Sequence, residues 1–364
     1  MHKKVELSEL FYDLVYVYAV SQITGLLHHG ELSFGTVFAF TTGLILYVNS
    51  WMVQMVFTNR FGKNSLTNIA FMFAQMVCLL LSSRAITEDW STHFIWFIFP
   101  MAVISVLLLL QYMIVYSTSH KDADRRLIWQ FFIVLGLRST ALLFVSFLPY
   151  QYGLPLAVGG ILITWLLPGL LTRSFSGKIE EGLTLIRFPH LIECLTLLVI
   201  ITFGEMIIGI VPYFSSANFS VTSLVVFLVV ISLFMIYIIE MDHLIETKRS
   251  GITGNAAIYL HYLIFFGLSF VTTALGLFLE DTEQLATQLL YGGILLLIIG
   301  IMGHLPYNKP QYRLNKSQLA MMAGCLGLGY VTSFVGQLDG RDVLMVTSLV
   351  LISIFTLLAR FYIK

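Results

Sequence analysis

The sequence predicts an all-α, polytopic integral membrane protein with twelve transmembrane helices. Three observations carry that prediction. First, the 364 residues are 58% hydrophobic and only 11% charged. Soluble globular chains carry roughly 25% charged residues, so this chain has too few to cover a water-facing surface of its size. Second, twelve apolar runs each approach the roughly 20 residues needed to cross the hydrocarbon core. Third, the loops between them alternate sharply in charge. With a mean hydropathy of +0.87, the composition excludes a soluble enzyme, a nucleic-acid-binding protein and a disordered chain. Twenty Lys and Arg balance twenty Asp and Glu, so no net field steers a partner.

The expected spans are 11–29, 34–57, 66–86, 93–116, 127–148, 152–171, 190–211, 219–241, 256–279, 285–304, 318–337 and 342–363. Unbroken stretches such as 103–110 fit helices, not the alternating strands of about ten residues in a membrane barrel. One set of loops and ends holds sixteen cations, among them Lys3, Lys4, Arg60, Lys63, Arg125, Lys178, Arg187, Lys248, Lys309, Arg313 and Lys364. The opposite set holds Arg341 with Glu31, Glu88, Asp89, Glu280, Asp281, Glu283 and Asp339. The positive-inside rule then places both termini in the cytoplasm of a cell whose plasma (inner) membrane the chain crosses. The basic start Met1-His-Lys-Lys leads into an apolar run that contains Asp13 and no small-residue cleavage site. It is expected to be a retained first span.

The longest loop, 172–189, falls near the midpoint. It suggests a first six-helix half at 1–171, a cytoplasmic linker at 172–189 and a second half at 190–364. An offset of 184 residues lays Glu9 on Glu193 and Gly25 on Gly209, the pattern of a parallel six-plus-six repeat about the membrane normal. Cys78, Cys194 and Cys325 each lie in an apolar run without ligand spacing and are expected to be small buried hydrophobes.

Ionisable groups at membrane depth cost roughly 2.5–3.5 kcal/mol each and usually mark pathways or partners. On the first span, Glu9, Tyr12, Asp13, Tyr16, Val20 and Thr24 share one helical stripe, with His28-His29 at its far end as loop-edge residues. Asp13 is a pathway candidate, and Glu9 suits a water-facing position at the helix start. Arg138 falls near the middle of the fifth span and must find partners. On the seventh span, His190, Glu193 and Glu205 lie within about 60° of one another on either side of His190. Glu205, about three turns deep, is the first choice for a functional residue, as a proton carrier or as a partner within direct or one-water reach of Arg138. Asn49, Gln54, Gln75 and His261 are expected to make interhelical hydrogen bonds. Gly204 and Gly209 beside Glu205, and Gly324, Gly327 and Gly329, are expected to let helices pack closely. His120 and Asp124 resemble a catalytic pair only loosely.

The run Glu9-Leu-Phe-Tyr-Asp-Leu-Val-Tyr-Val-Tyr-Ala resembles the E-L-F-F-D-L-V-F-V-x-A opening of bacterial low temperature requirement A (LtrA) proteins. Asn59-Arg60-Phe61 resembles their N-R-F turn. His190-Leu-Ile-Glu193 followed by Phe203-Gly204-Glu205 resembles their H-x-x-E-R…L-G-E span. The resemblance covers most of the chain. It departs at Cys194, where the family pattern usually has Arg, so Glu193 lacks that neutralising neighbour. It implies a multi-pass membrane protein and no established activity.

The leading functional expectation is a secondary transporter of a small solute or ion, with proton coupling through Glu205 as one form of it. The alternatives are a six-plus-six cation channel or a non-transport component of cold adaptation. Phe11-Tyr-Asp13 resembles the F-S-D opening of the lysosomal potassium channel family, but Thr196-Leu197 occupies the matching place in the second half. No HExxH, GxSxG or P-loop is present, so no enzyme and no cofactor or metal is expected. The expected partners are the lipid bilayer and the transported solute or ion, not nucleic acid; a homo-oligomer is compatible.

Overall fold

The computed structural model describes residues 5–27, 33–86, 90–175, 184–248, 254–280 and 282–362. Outside them lie His28-His29, the acids Glu31, Glu88, Asp89 and Asp281, and the cations Lys3, Lys4, Lys178, Arg249 and Lys364 of the charge argument.

The described residues form twelve long helices: α1 Leu7–Thr24, α2 Phe34–Arg60, α3 Leu66–Arg84, α4 Trp90–Thr118, α5 Asp122–Val145, α6 Tyr150–Phe175, α7 Phe188–Ile210, α8 Val221–Ile238, α9 Asn255–Leu277, α10 Glu283–Met302, α11 Lys316–Val335 and α12 Gly340–Tyr362. All twelve are long and apolar enough to cross a membrane. Each coincides with an expected span, its ends shifted by a few residues. The starts follow local capping chemistry. The Ser33 hydroxyl accepts from the Thr36 N–H at 3.1 Å to begin α2. Asn315 and Gln318 bond each other's backbone N–H at 2.8 and 2.9 Å to begin α11, a reciprocal cap that satisfies two orphan donors. Pro100 lies inside α4, as membrane helices tolerate.

The chain forms two compact units. One is Met1–Cys194 with Ser250–Asn255; the other is Leu195–Arg249 with Ala256–Lys364. The boundary runs through α7. In the first unit, α1 packs on α2 and α3, and α4 on α3 and α5. Tyr16, Tyr47, Trp51, Phe57, Phe97 and Tyr112 fill its core. Large apolar side chains such as Phe73, Leu81, Leu137 and Phe144 face outward, as suits a lipid surrounding and not water. Among the cysteines only Cys194 is buried; Cys78 and Cys325 are partly exposed, because their helix faces turn away from the packed interior.

In the second unit α8 packs on α12, and α11 on α10 and α12. The tightest approach joins α9 to α10. A Cβ on Gly267 would lie 2.6 Å from the Gly293 carbonyl, and one on Gly293 would lie 2.7 Å from the Gly267 carbonyl. These two glycines, not the expected set, carry the close packing. Gly204, Gly324 and Gly327 face open space, and Gly209 has only ordinary contact with Thr272. Of the expected positions Gly329 alone is tight, with Val350 Cγ2 at 2.7 Å from a would-be Cβ. The correction has a simple cause: a glycine aids packing only when its face meets a neighbour, and composition does not reveal facing. Beyond α8 the chain widens into a π-helical turn, Ile239–Leu244.

Candidate functional site

The first helix sets the site. Its stripe is buried as expected: Glu9, Tyr12, Asp13, Tyr16, Val20 and Thr24 all face the interior. Glu9, at 8% exposure, is more deeply buried than a water-facing helix start would allow, which corrects that expectation. The Asp13 carboxylate accepts a hydrogen bond from the Trp51 indole Nε1–H at 2.6 Å. Tyr12 donates to Gln75 Oε1. The Gln75 amide donates in turn to Gln54 Oε1 at 3.0 Å and Gln111 Oε1 at 3.1 Å. One side-chain amide thus ties α1, α2, α3 and α4 together. Gln54 and Gln75 fill the interhelical role expected of them.

Below this hub lies a cavity of about 20 Å³, lined by Glu9, Tyr12, Asp13, Trp51, Gln54, Met55, Thr58, Met72, His190 and Cys194. A space of that size holds one water or one bare ion. Asp13 and His190, 177 positions apart in the sequence, therefore line the same space.

The orientation of His190 follows from backbone chemistry. The Asn59 carbonyl oxygen accepts from the Arg187 N–H at 2.8 Å, and the Asn59 amide donates to the Arg187 carbonyl at 3.1 Å. Both backbone groups have fixed roles, so the side-chain amide cannot flip. Its nitrogen then faces His190 Nδ1 at 3.1 Å, and Nδ1 must accept. The hydrogen of neutral His190 sits on Nε2, which lies 3.3 Å from Glu9 Oε2. Cys194 Sγ lies 3.6 Å from Nδ1. Glu9, His190 and Cys194 bring ligand-type atoms within 4.8 Å of one another, a spacing a metal ion could use. The fixed tautomer argues against it: ligation through Nε2 would move the hydrogen to Nδ1, pointing it at an amide N–H.

Arg138 is 1% exposed. Its guanidinium donates to Asn49 Oδ1 at 2.6 Å and to the Ser50 hydroxyl, so α2 supplies neutral oxygens to the deep charge of α5. Asn49 thereby makes its expected interhelical bond, as does His261, which pairs with the Tyr237 hydroxyl at 3.1 Å. Glu193 is partly exposed, and its Oε2 is buried without a hydrogen-bond partner. Glu205 belongs to the second unit and is partly buried.

Asp124 is tied to the segment that leads into α7. Both of its oxygens receive Thr184, one from the backbone N–H and one from the hydroxyl, each at 2.7 Å. Arg60 donates to the Thr184 carbonyl at 3.0 Å. Asp124 anchors the segment entering α7. Residues that sequence reasoning passed over are Trp51, Gln111 and the structural amide of Asn59. The signal for Asn59 was its place in the N-R-F turn, which did not reveal that it holds a histidine 131 positions away.

The family description "Bacterial low temperature requirement A protein (LtrA)" matches residues 4–356, nearly the whole chain. The chain belongs to the LtrA family. No curated protein and no solved structure matches it. In this LtrA protein the segments that carried the resemblance converge: the opening of α1, the N-R-F turn and the start of α7 meet around Glu9, Asn59 and His190. The Cys194 departure also has a structural counterpart. A thiol stands by the imidazole where the family pattern usually has Arg, and neighbouring Glu193 retains an unpartnered buried oxygen.

Proposed function

We propose that this LtrA-family protein is a secondary transporter of a small solute or ion in the cytoplasmic membrane. One observation supports the reading above others. Two acids of one helix face, Glu9 and Asp13, are buried beside a cavity with room for one water or ion. A bundle selected only for stability would favour packed apolar groups over buried charges, whereas a path for a proton or small cation needs such carboxylates in contact with a small polar space. Asp13, with the Trp51 bond and the cavity, is the leading assignment for the transported charge. Glu205 is retained from its sequence position as a second coupling carboxylate.

The test is flux into liposomes containing the purified protein, with proton and cation gradients applied in turn. Saturable, gradient-driven flux, falling about a hundredfold in Asp13→Asn while that variant stays monodisperse, is the expected result; a loss of that size corresponds to removing about 2.7 kcal/mol of stabilisation. Unitary currents in a planar bilayer would replace the transporter by the channel. Absence of any gradient-driven flux or current from correctly folded protein would overturn transport altogether.

A further inference from the structure

A second polar corner, in the Leu195–Lys364 unit, has the opposite character to the first. Glu240 lies in the π-helical turn after α8 and is fully buried, at 0% exposure. Neither of its carboxylate oxygens has a hydrogen-bond partner. The Asn308 side chain lies beside it, brought there by an antiparallel bridge between Ile245 and Asn308 and by the Lys309 N–H bonded to the Leu244 carbonyl at 2.9 Å. Asn308 is 2% exposed, and both its amide oxygen and its nitrogen also lack hydrogen-bond geometry. Four residues earlier, His304 donates from Nδ1 to the Gly300 carbonyl at 2.8 Å. Its Nε2 is therefore a bare lone pair, buried and without a partner.

Buried polar atoms are nearly always satisfied, and groups that are not call for a specific explanation. The imbalance here has a sign. Glu240 Oε1 and Oε2 and Asn308 Oδ1 are three acceptors, and the Asn308 amide nitrogen, which faces the carboxylate outside good hydrogen-bond geometry, is the one donor among them. The helix adds to it: Glu240 follows the C-terminal end of α8, where the macrodipole is negative and disfavours a carboxylate but favours a cation. The nearby cation, Lys309, is engaged elsewhere. Its ammonium donates to the His243 carbonyl at 2.7 Å and lies over the Tyr312 ring.

We propose that Glu240 and Asn308 form a binding site for one alkali cation, with sodium as its ligand. One carboxylate and one amide oxygen are hard donors that suit an alkali ion, and a single negative charge matches a single positive one. Irregular backbone after a helix end is where membrane proteins coordinate such ions. The site is independent of whether the chain transports anything, since binding alone satisfies the bare acceptors.

The experiment is a titration of purified full-length protein with sodium chloride, at ionic strength held constant by choline chloride, followed by thermal unfolding. A ligand that binds only the folded state raises the unfolding midpoint as its concentration rises. The wild type should show that rise. Glu240→Gln, which removes the charge but keeps the shape, should be flat. Asn308→Ala should need about tenfold more sodium for the same shift. Asp242→Asn, which neutralises an exposed acid two positions away, should respond as the wild type does. Equilibrium dialysis against radioactive sodium provides the direct reading: Asp13→Asn, whose own cavity has lost that charge, should still bind one ion per chain, even if the Glu240 variant fails to fold. A wild type whose midpoint ignores sodium, or a Glu240→Gln protein that still responds to it, would overturn the site and identify Glu240 as a protonated, purely structural acid. Choline and sodium giving equal shifts would do the same by showing a salt effect.

Discussion

Two buried asparagines, one in each unit, show how differently the same side chain can be used. Asn59 in the first unit is 1% exposed and Asn308 in the second is 2% exposed. Asn59 makes three hydrogen bonds, two to the Arg187 backbone and one to His190 Nδ1. Asn308 makes none by either amide atom. Each has an acid in its neighbourhood, Glu9 through His190 in one case and Glu240 in the other. The Asn59 amide is closed by protein groups alone and acts as a rigid joint. The second corner has more acceptors than donors, the condition under which a protein relies on something other than its own side chains. Burial by itself thus does not separate the two asparagines; the completeness of their hydrogen bonding does.

Three measurements of unfolding on purified protein would break or sharpen this contrast. The largest effect is expected at Asp13. Asp13→Ala strands the Trp51 indole N–H and should cost about 1.5–3 kcal/mol, the range for hydrogen bonds to charged groups. Asp13→Asn keeps an acceptor and should cost clearly less. Equal losses would mean that the Trp51 bond is not what Asp13 contributes. Next comes the direct comparison in sodium-free buffer. Asn59→Ala leaves His190 Nδ1 without its donor and should cost about 1–3 kcal/mol. Asn308→Ala removes no hydrogen bond and should cost less than about 1 kcal/mol beyond its lost packing. If the two substitutions cost the same, the distinction between a closed and an open corner fails. The smallest effect concerns the packing of α11 in the second unit. Gly324→Ala, into open space, should stabilise α11 by up to about 1 kcal/mol through helix propensity. Gly329→Ala should destabilise, because its Cβ would meet Val350 Cγ2 at 2.7 Å and the Tyr291 hydroxyl at 2.9 Å.

The helices were legible in the sequence because hydropathy over twenty residues is a property of composition, and the bilayer converts it directly into length. The buried stripe of α1 was legible for a related reason: helical periodicity fixes which residues share a face. So was the interhelical bonding of Asn49, Gln54, Gln75 and His261, since an amide or imidazole in hydrocarbon has few other options. Long-range pairings were not legible. Nothing local to Asn59 says that it faces His190, and nothing local to Gly267 says that it meets Gly293. Glu240 was hidden by the π-turn, which breaks the 3.6-residue period at the end of a strongly apolar helix and returns an acid to the interior. Nor was the role of Asp124 legible, since its partner Thr184 lies sixty positions along the chain.

The locked amide of Asn59 has a consequence for proton traffic. An imidazole relays a proton by accepting it on one nitrogen and releasing another from the far side of the ring. In this protein the far side of His190 is an N–H donor held in place by two backbone bonds. A proton arriving from the Glu9 side finds Nε2 already carrying the ring hydrogen and the Nδ1 lone pair engaged by the Asn59 N–H. His190 is therefore a terminus and not a stepping stone, and any proton wire through the cavity must run between the carboxylates and the water beside them, bypassing the imidazole.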